Sequence, residues 1–453
     1  MSKDCYDLII VGAGVVGCAA AKAFAEDGRK VLLLERDLSE PDRIVGELMQ
    51  PGGIQALKEL GMEECVEGID AIACYGYGVY RQGQLVDIPY STNPNTGKQH
   101  RGMAFHHGRF IQNLRKSAAG TAGVTVKEMT VSNLIENDND KVTGVVAYKA
   151  DVEEKFYAPL TLVADGIFSK FRKDFTTRKT KITSHFVGLL MHDLELPFPQ
   201  KGLVVIAKPS PILMYQIAPH DLRVLVDVPG ETLPQADELK QYMLQVVLPQ
   251  LPPYMQDKFE KAIETERLRP MPSGFLPPTP NQRQGTLMLG DAFNIRSPLT
   301  GGGMTVALQD VLTVRELLST QNVADFNETD LVVQATDALH WKRKSYSTSI
   351  NVLAMSLYTL FAAQDKYLTV LQNGCFEYFK TQNLQGPVDL LSAVHPSPLL
   401  LLYHFFAVAV YSIFIMYKEG GLVNVPKNMY QSVIVLYTAS VTIFPYLWEE
   451  FKG

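Results

Sequence analysis

Hydrophobic and polar residues near the start of the chain follow a strand, turn and helix pattern. Residues 6–11 form a short apolar run typical of a buried strand, and the alanine-rich residues 18–25 indicate a helix. The glycine-containing stretch 12–17 separates the two. A second apolar run, residues 30–34, ends at Glu35. This pattern predicts the opening of an α/β sheet.

The residues of this turn suit a dinucleotide. Gly12 permits a tight turn, Gly14 lets the backbone approach a pyrophosphate, and Gly17 lets the helix pack on the strand. The acid at the end of the second strand stands where such folds bind a ribose. The unit therefore predicts dinucleotide binding, although this unit alone leaves FAD and NAD open.

Two later motifs place carboxylates at the ends of apolar strands. Residues 160–166 end in Asp165-Gly166, and residues 286–291 end in Gly290-Asp291. Residues 298–304 then form a glycine-rich turn that leads into an amphipathic run. Each dipeptide alone is a common loop turn. Together they predict a second helix start that favours the negative charge of a reduced flavin.

The order of these motifs resembles the FAD-dependent monooxygenase family that includes the aromatic hydroxylases. Longer strings at residues 40–53, 105–110, 164–172 and 297–304 are similar to the squalene epoxidase family, and the similarity extends from about residue 7 to the C-terminus. The resemblance implies an α/β, FAD-binding Rossmann-like fold of the aromatic-hydroxylase type. The resemblance also implies a β-sheet substrate domain and a C-terminal helical membrane-anchoring region.

The resemblance also implies roles for single residues. Tyr77 matches a family tyrosine that hydrogen-bonds a glutamine, here Gln50, beside flavin and substrate, and we assign this pair to catalysis. Arg109 could instead lie on a solvated helix face, and a metal site at His106 and His107 lacks a third ligand at suitable spacing. The residues expected to bind FAD are Gly12, Gly14, Val15, Val16, Gly17, Glu35, Arg43, Arg109, Asp165, Asp291, Gly302, Gly303 and Met304.

The middle of the chain alternates apolar and polar residues. Residues 184–196, 202–208, 211–217 and 222–228 predict strands of a sheet that covers the flavin. Its apolar wall would bind a hydrocarbon and exclude water. Candidate wall residues are Phe186, Leu213 and Tyr215, for which an ordinary place in the sheet core is the alternative.

The C-terminal third is helical in pattern from about residue 328 to 380. Two charge-free stretches follow at 399–417 and 429–448, each near the ~20 residues that cross a bilayer. Lysines in their connector favour a cytoplasmic turn. We expect a hairpin dipping into one leaflet, with buried core helices as the alternative.

Composition narrows the functional class of the protein. The net charge of −6 and the short basic runs argue against nucleic-acid binding. Five cysteines without a C-x-x-C indicate a reducing compartment.

The expected domains are 1–180 and 276–322 for FAD, 181–275 for substrate, and 323–453 for the helical region, with the hairpin at 399–448.

The family implies the epoxidation of squalene to 2,3-oxidosqualene with O2, in sterol biosynthesis. Since one glycine fingerprint is present, NADPH would deliver electrons through a separate NADPH-cytochrome reductase. The implied location is the cytosolic face of the endoplasmic reticulum membrane, or lipid droplets. The alternatives are a flavoprotein that reduces isoprenoids and a non-catalytic escort protein that binds prenyl lipids.

Overall fold

The computed structural model describes residues 6–281, 283–363, 365–381, 384–420 and 425–452. The strands in these segments are β1 (Leu8–Val11), β2 (Val31–Glu35), β3 (Leu48–Met49), β4 (Ile72–Cys74), β5 (Gly76–Arg81), β6 (Gln84–Pro89), β7 (Gly102–Ala104), β8 (Val124–Glu128), β9 (Thr130–Glu136), β10 (Val142–Lys149), β11 (Val152–Tyr157), β12 (Leu160–Val163), β13 (Lys181–His192), β14 (Gly202–Val205), β15 (Ile212–Ala218), β16 (Asp221–Pro229), β17 (Arg269–Phe275) and β18 (Thr286–Met288).

The α-helices of the same segments alternate with these strands and then dominate the last third of the chain. They are α1 (Val15–Glu26), α2 (Pro51–Glu59), α3 (His107–Ala119), α4 (Ala236–Tyr242), α5 (Pro253–Thr265), α6 (Gly303–Leu317), α7 (Thr329–Lys342), α8 (Lys344–Phe361), α9 (Lys366–Tyr378), α10 (Gln385–Leu391), α11 (Pro398–Gly420) and α12 (Val425–Phe451).

A parallel sheet lies at the centre of the first layer, in the strand order β18-β12-β1-β2-β8. The four residues of β1 are fully buried, as the apolar run predicts. β1 pairs with β12 on one side and β2 on the other, with Leu8 opposite both Leu160 and Val31. The strands that carry the three motifs are therefore neighbours, and their carboxyl ends meet at one edge of the sheet.

A seven-stranded sheet forms the second layer, in the order β17-β13-β16-β15-β14-β5-β6. Its strands β13 to β16 are those predicted from the alternating middle segments. β5 and β6 come from the first 180 residues and extend this same sheet, with Tyr77 of β5 opposite Gly202 of β14 in a parallel pair. The sheet is thus built from two distant parts of the chain.

Helices α7, α8 and α9 occupy the region predicted to be helical, and α11 and α12 pack against each other and against α8 and α9. By length and composition, α11 and α12 could each cross a membrane, and 22% of each apolar window is buried within the described residues. Large side chains on their outer faces are exposed: Leu399, Tyr403, Val410, Phe414, Met429, Tyr430, Val433, Tyr437, Phe444 and Trp448. This low burial argues against ordinary core helices.

The cysteines in the described part of the chain form no disulfide. Cys18, Cys65, Cys74 and Cys375 are buried free thiols. Cys5 lies outside the described residues. Burial raises the pKa of Cys18 to about 12, so this thiol stays protonated and unreactive.

Candidate active site

A cavity of about 620 Å³ lies between the carboxyl edge of the parallel sheet and the seven-stranded sheet. It brings together residues from motifs that are far apart in the sequence. The predicted residues that line it are Gly12, Gly14, Val15, Val16, Glu35, Arg43, Gln50, Tyr77, Asp165, Phe186, Leu213, Tyr215, Asp291, Gly303 and Met304. Gly17, Arg109 and Gly302 do not line it.

The first glycine turn has the close packing that its spacing predicts. Gly12 has a φ of +102°, and a Cβ there would lie 2.5 Å from the carbonyl oxygen of Ala164. A Cβ at Gly17 would lie 1.8 Å from the carbonyl oxygen of Gly12, so Gly17 serves helix packing. Around Gly14 a Cβ would meet nothing within 4 Å, which leaves the start of α1 open to the cavity. Glu35 Oε2 accepts from the Ala13 amide at 2.7 Å, which fixes the carboxylate at this turn.

The structure does not place Arg109 at the cavity. Its Nη1 instead donates to the Asp70 carboxylate at 2.8 Å, and its side chain is 40% exposed. The arginine of α3 that lines the cavity is Arg115, which sequence reasoning missed. Arg115 Nε donates to the Ala13 carbonyl at 3.1 Å, and its Nη2 lies 3.8 Å from Glu35 Oε2. Six positions along a helix turn a side chain by about 600°, so the two arginines lie on different faces.

Two carboxylates stand on the other side of the first turn. Burial raises the pKa of Asp165, and its Oδ1 has no hydrogen-bond partner among the described residues. Asp291 is exposed to the cavity, and desolvation by the surrounding protein raises its pKa against the opposing effect of Arg296, Arg43 and Arg172. An enclosed acceptor without a donor is costly, so Asp165 Oδ1 suits a ligand with hydroxyl donors, and Asp291 presents a second carboxylate to the same cavity.

The second glycine turn opens α6. Gly301 has a φ of +64°, which favours glycine, and a Cβ at Gly303 would meet nothing within 4 Å. At Gly302 a Cβ would lie 2.4 Å from Ile350 Cγ2, so this glycine serves the packing of α6 on α8. Met304 is buried beside the cavity. The start of α6 therefore faces the cavity much as the start of α1 does.

These features fit FAD. Open helix starts at Gly14 and Gly303 expose backbone N–H groups to the negative charge of a pyrophosphate and of a reduced ring. Glu35 and the unpartnered Asp165 Oδ1 offer acceptors for sugar and ribityl hydroxyls. The cavity joins all four positions.

Gln50 is the centre of a buried hydrogen-bond cluster. Its Oε1 accepts from the hydroxyl of Tyr77 at 2.7 Å, the contact that the family resemblance implies, and from that of Tyr90 at 2.6 Å. Its Nε2 donates to the carbonyl of Thr300 at 2.8 Å. Sequence reasoning missed Tyr90, which follows β6 and packs edge to face on Tyr77. Burial raises the pKa of Tyr77, so its phenol is neutral.

The far wall of the cavity is apolar. Phe186, Leu213 and Tyr215 are buried in one hydrophobic cluster and line the cavity. Behind them lies a buried ion pair that sequence reasoning also missed, in which Arg223 donates to Glu47 at 2.7 and 2.9 Å. A bidentate pair of this kind fixes the seven-stranded sheet against the segment that leads into β3.

The described part of the chain contains no group of three or more His, Cys, Asp or Glu side chains that could hold a metal ion. His106 Nε2 lies 2.9 Å from Asp221, and His107 Nδ1 lies 2.9 Å from the Gly46 carbonyl. Burial lowers the pKa of His107 to about 4, so its ring is neutral and donates to that carbonyl. Both histidines are thus held by hydrogen bonds.

Comparison with known proteins identifies relatives over the whole chain. The family model described as squalene epoxidase matches residues 157–430, and the model described as glucose inhibited division protein A matches residues 7–183. Squalene epoxidase erg1 of Schizosaccharomyces pombe is 41% identical over 100% of both chains. Squalene monooxygenase of Mus musculus is 46% identical over 98% of this chain and 78% of its own length.

Solved structures share the fold at lower identity. The p-nitrophenol 4-monooxygenase PnpA from Pseudomonas putida aligns with a TM-score of 0.70 and 16% identity, over 88% of this chain and 98% of that chain. PqsL, a probable FAD-dependent monooxygenase from Pseudomonas aeruginosa, aligns with a TM-score of 0.66 and 19% identity, over 80% and 97%. From the full-length identity with its relatives, the chain belongs to the squalene epoxidase family.

Proposed function

We propose that this protein is a flavin-dependent monooxygenase that adds one atom of O2 across a terminal double bond of squalene. The product is 2,3-oxidosqualene, and the second oxygen atom leaves as water. One observation carries the proposal: a single cavity joins two glycine-led helix starts to an apolar wall. Relatives that match 98–100% of this chain are named squalene epoxidase and squalene monooxygenase, which supports squalene as the substrate.

In this proposal, FAD lies between the two helix starts. Backbone N–H groups at Gly14, Val15 and Val16 hold its pyrophosphate, and Glu35 accepts from the adenosine ribose. Arg43 supplies a further positive charge to the cofactor, and Asp165 and Asp291 accept hydrogen bonds from the hydroxyl groups of the ribityl chain. The turn at Gly302 and Gly303 lets backbone meet the ring, with Met304 beside it. Arg115, which lines the cavity, takes the role that the family resemblance implies for Arg109.

Bound FAD supplies the redox chemistry that activates oxygen. The protein positions the alkene and keeps water out. Phe186, Leu213 and Tyr215 contribute apolar surface, each Å² of which is worth about 25 cal/mol when it is buried against a hydrocarbon. A dry wall also protects the reactive oxygen from wasteful release.

Tyr77 and Gln50 are positioned to orient the reacting groups. Two phenol donors fix the Gln50 amide, so that its Nε2 must face Thr300 in the second glycine turn. The Tyr77 hydroxyl also lies 3.2 Å from the carbonyl of Leu391, the last residue of α10. The cluster therefore connects the cofactor turn, the substrate sheet and the C-terminal helices.

We further propose that α11 and α12 form a hairpin that enters one leaflet of the endoplasmic reticulum membrane or a lipid droplet. Their exposed apolar side chains support this arrangement. The catalytic part would then face the cytosol and receive electrons from a membrane-bound NADPH-cytochrome reductase. Squalene, which is dissolved in the bilayer, would enter from the same membrane.

A reconstituted assay tests the function. Full-length protein in detergent is given squalene, NADPH, the reductase and isotopically labelled oxygen, and the product is analysed by mass spectrometry. We expect oxidosqualene that carries one labelled oxygen atom. A saturated product would indicate an isoprenoid reductase, and a colourless protein without product would indicate an escort protein. Omission of the reductase should abolish rapid turnover, whereas fast direct reduction by NADPH would remove the need for this partner.

A further inference from the structure

A carboxylate is fully buried at the very end of α12. Glu450 has no exposed surface, whereas its neighbours Glu449 and Phe451 are partly exposed. An acid in the last turn of a helix opposes the helix dipole, and a buried carboxylate is costly without partners. The inward position of Glu450 therefore depends on specific contacts.

Two residues of α8 provide those contacts. Lys344 donates to the Glu450 carbonyl, and its ammonium lies 3.6 Å from the Glu450 carboxylate. Asn351 Nδ2 donates to Glu450 Oε1 at 2.8 Å. The same Nδ2 donates its second hydrogen to Asn294 Oδ1 at 2.9 Å. Asn351 thus bridges the end of α12 and the segment that follows Asp291.

Asn294 holds the turn that presents Asp291. Its backbone N–H donates to the Gly290 carbonyl at 2.9 Å, and its side-chain Nδ2 donates to Leu276 at 2.8 Å. Its Oδ1 also accepts from Arg296, whose guanidinium lines the cavity and reaches the Gly303 carbonyl at 3.4 Å. Asn294 therefore connects both cofactor-facing turns to α8.

We propose that Glu450 is a positioning residue for the flavin site. Through Asn351 and Asn294 it holds the turn of Asp291, so that the seating of the last turn of α12 raises the affinity for FAD. The inference rests on the proposed cofactor role of Asp291. It gives the C-terminal apolar helix a part in cofactor binding besides membrane contact.

The test measures FAD binding rather than turnover. Full-length apoprotein in detergent is titrated with FAD, and flavin fluorescence reports the dissociation constant. Glu450→Ala should raise this constant about tenfold, the effect of losing a buried hydrogen bond to a charged group. Asn351→Leu removes both N–H donors of the Asn351 amide at a similar side-chain volume, and it should raise the dissociation constant by a similar factor. Glu449→Ala is the matched control at the adjacent position and should change the constant less than about twofold.

Unfolding temperatures of the apoproteins separate positioning from simple stability. If Glu450→Ala lowers the unfolding temperature but binds FAD as tightly as the wild type, the coupling is refuted. Should Glu450→Ala fail to fold, the Asn351→Leu variant decides by the same comparison. Asp291→Asn tests the premise independently, because unchanged FAD binding in that variant would overturn the cofactor role of the turn itself.

Discussion

His107 makes the stability of the flavin site depend on pH. Its ring is 8% exposed and donates to the Gly46 carbonyl, and burial lowers its pKa to about 4, from an ordinary value of 6.5. Below pH 6.5 the unfolded chain therefore binds a proton at His107 that the folded protein does not bind, so the free energy of unfolding decreases as the pH falls. At ~1.36 kcal/mol per pH unit, the loss from this residue reaches about 3 kcal/mol at pH 4.

The variant His107→Asn removes the titration and keeps a donor near the position of Nδ1. Urea unfolding of wild type and variant, measured at steps between pH 7.5 and pH 4.5, should give free energies whose difference changes by ~1.4 kcal/mol per pH unit below 6.5. His220→Asn, at an exposed ring paired with Asp193, is the control and should follow the wild type. If the curves of wild type and His107→Asn run parallel across this range, His107 is not held neutral and the reasoning fails.

Three further predictions concern the site. Arg223→Met leaves Glu47 buried without its partner and should lower the free energy of unfolding by about 3–5 kcal/mol, measured by urea unfolding. Tyr77→Phe should lower the rate of oxidosqualene formation by about tenfold at unchanged FAD content, since one buried hydrogen bond of ~1.4 kcal/mol is lost; an unchanged rate would remove Tyr77 from the mechanism. Arg115→Ala should weaken FAD binding about tenfold, whereas Arg109→Ala should leave it unchanged, and equilibrium titration with FAD measures both. If Arg109→Ala weakened binding and Arg115→Ala did not, the original assignment of Arg109 would be restored.

Local patterns predicted much of the fold. The glycine turn is specified by residues adjacent in sequence, and the close approach at Gly12 and Gly17 follows from their lack of a side chain. The strands β13 to β16 appear in the sequence because alternate residues of each strand pack into one apolar core, although the opposite face is largely buried as well. The hydrophobic length of α11 and α12 is equally local.

Several other contacts between distant segments were not predicted. Nothing in the pattern of β5 shows that its partner is β14, because pairing depends on the whole sheet. The choice between Arg109 and Arg115 depends on the rotation of α3 about its axis, which a helical pattern alone leaves open. In the sequence Glu450 resembles an ordinary solvated acid, since its partners are about a hundred residues away.

The pairing of β5 with β14 also bears on synthesis. When the ribosome has made only the first 180 residues, β5 and β6 exist without the neighbour that completes their sheet, and a bare strand edge invites association with other chains. Tyr77 cannot reach its final environment until residues 202–205 have emerged. More than a hundred further residues are therefore added before β14 can cover this edge. Protection of that edge by a chaperone or by the membrane surface would then influence how much enzyme a cell obtains.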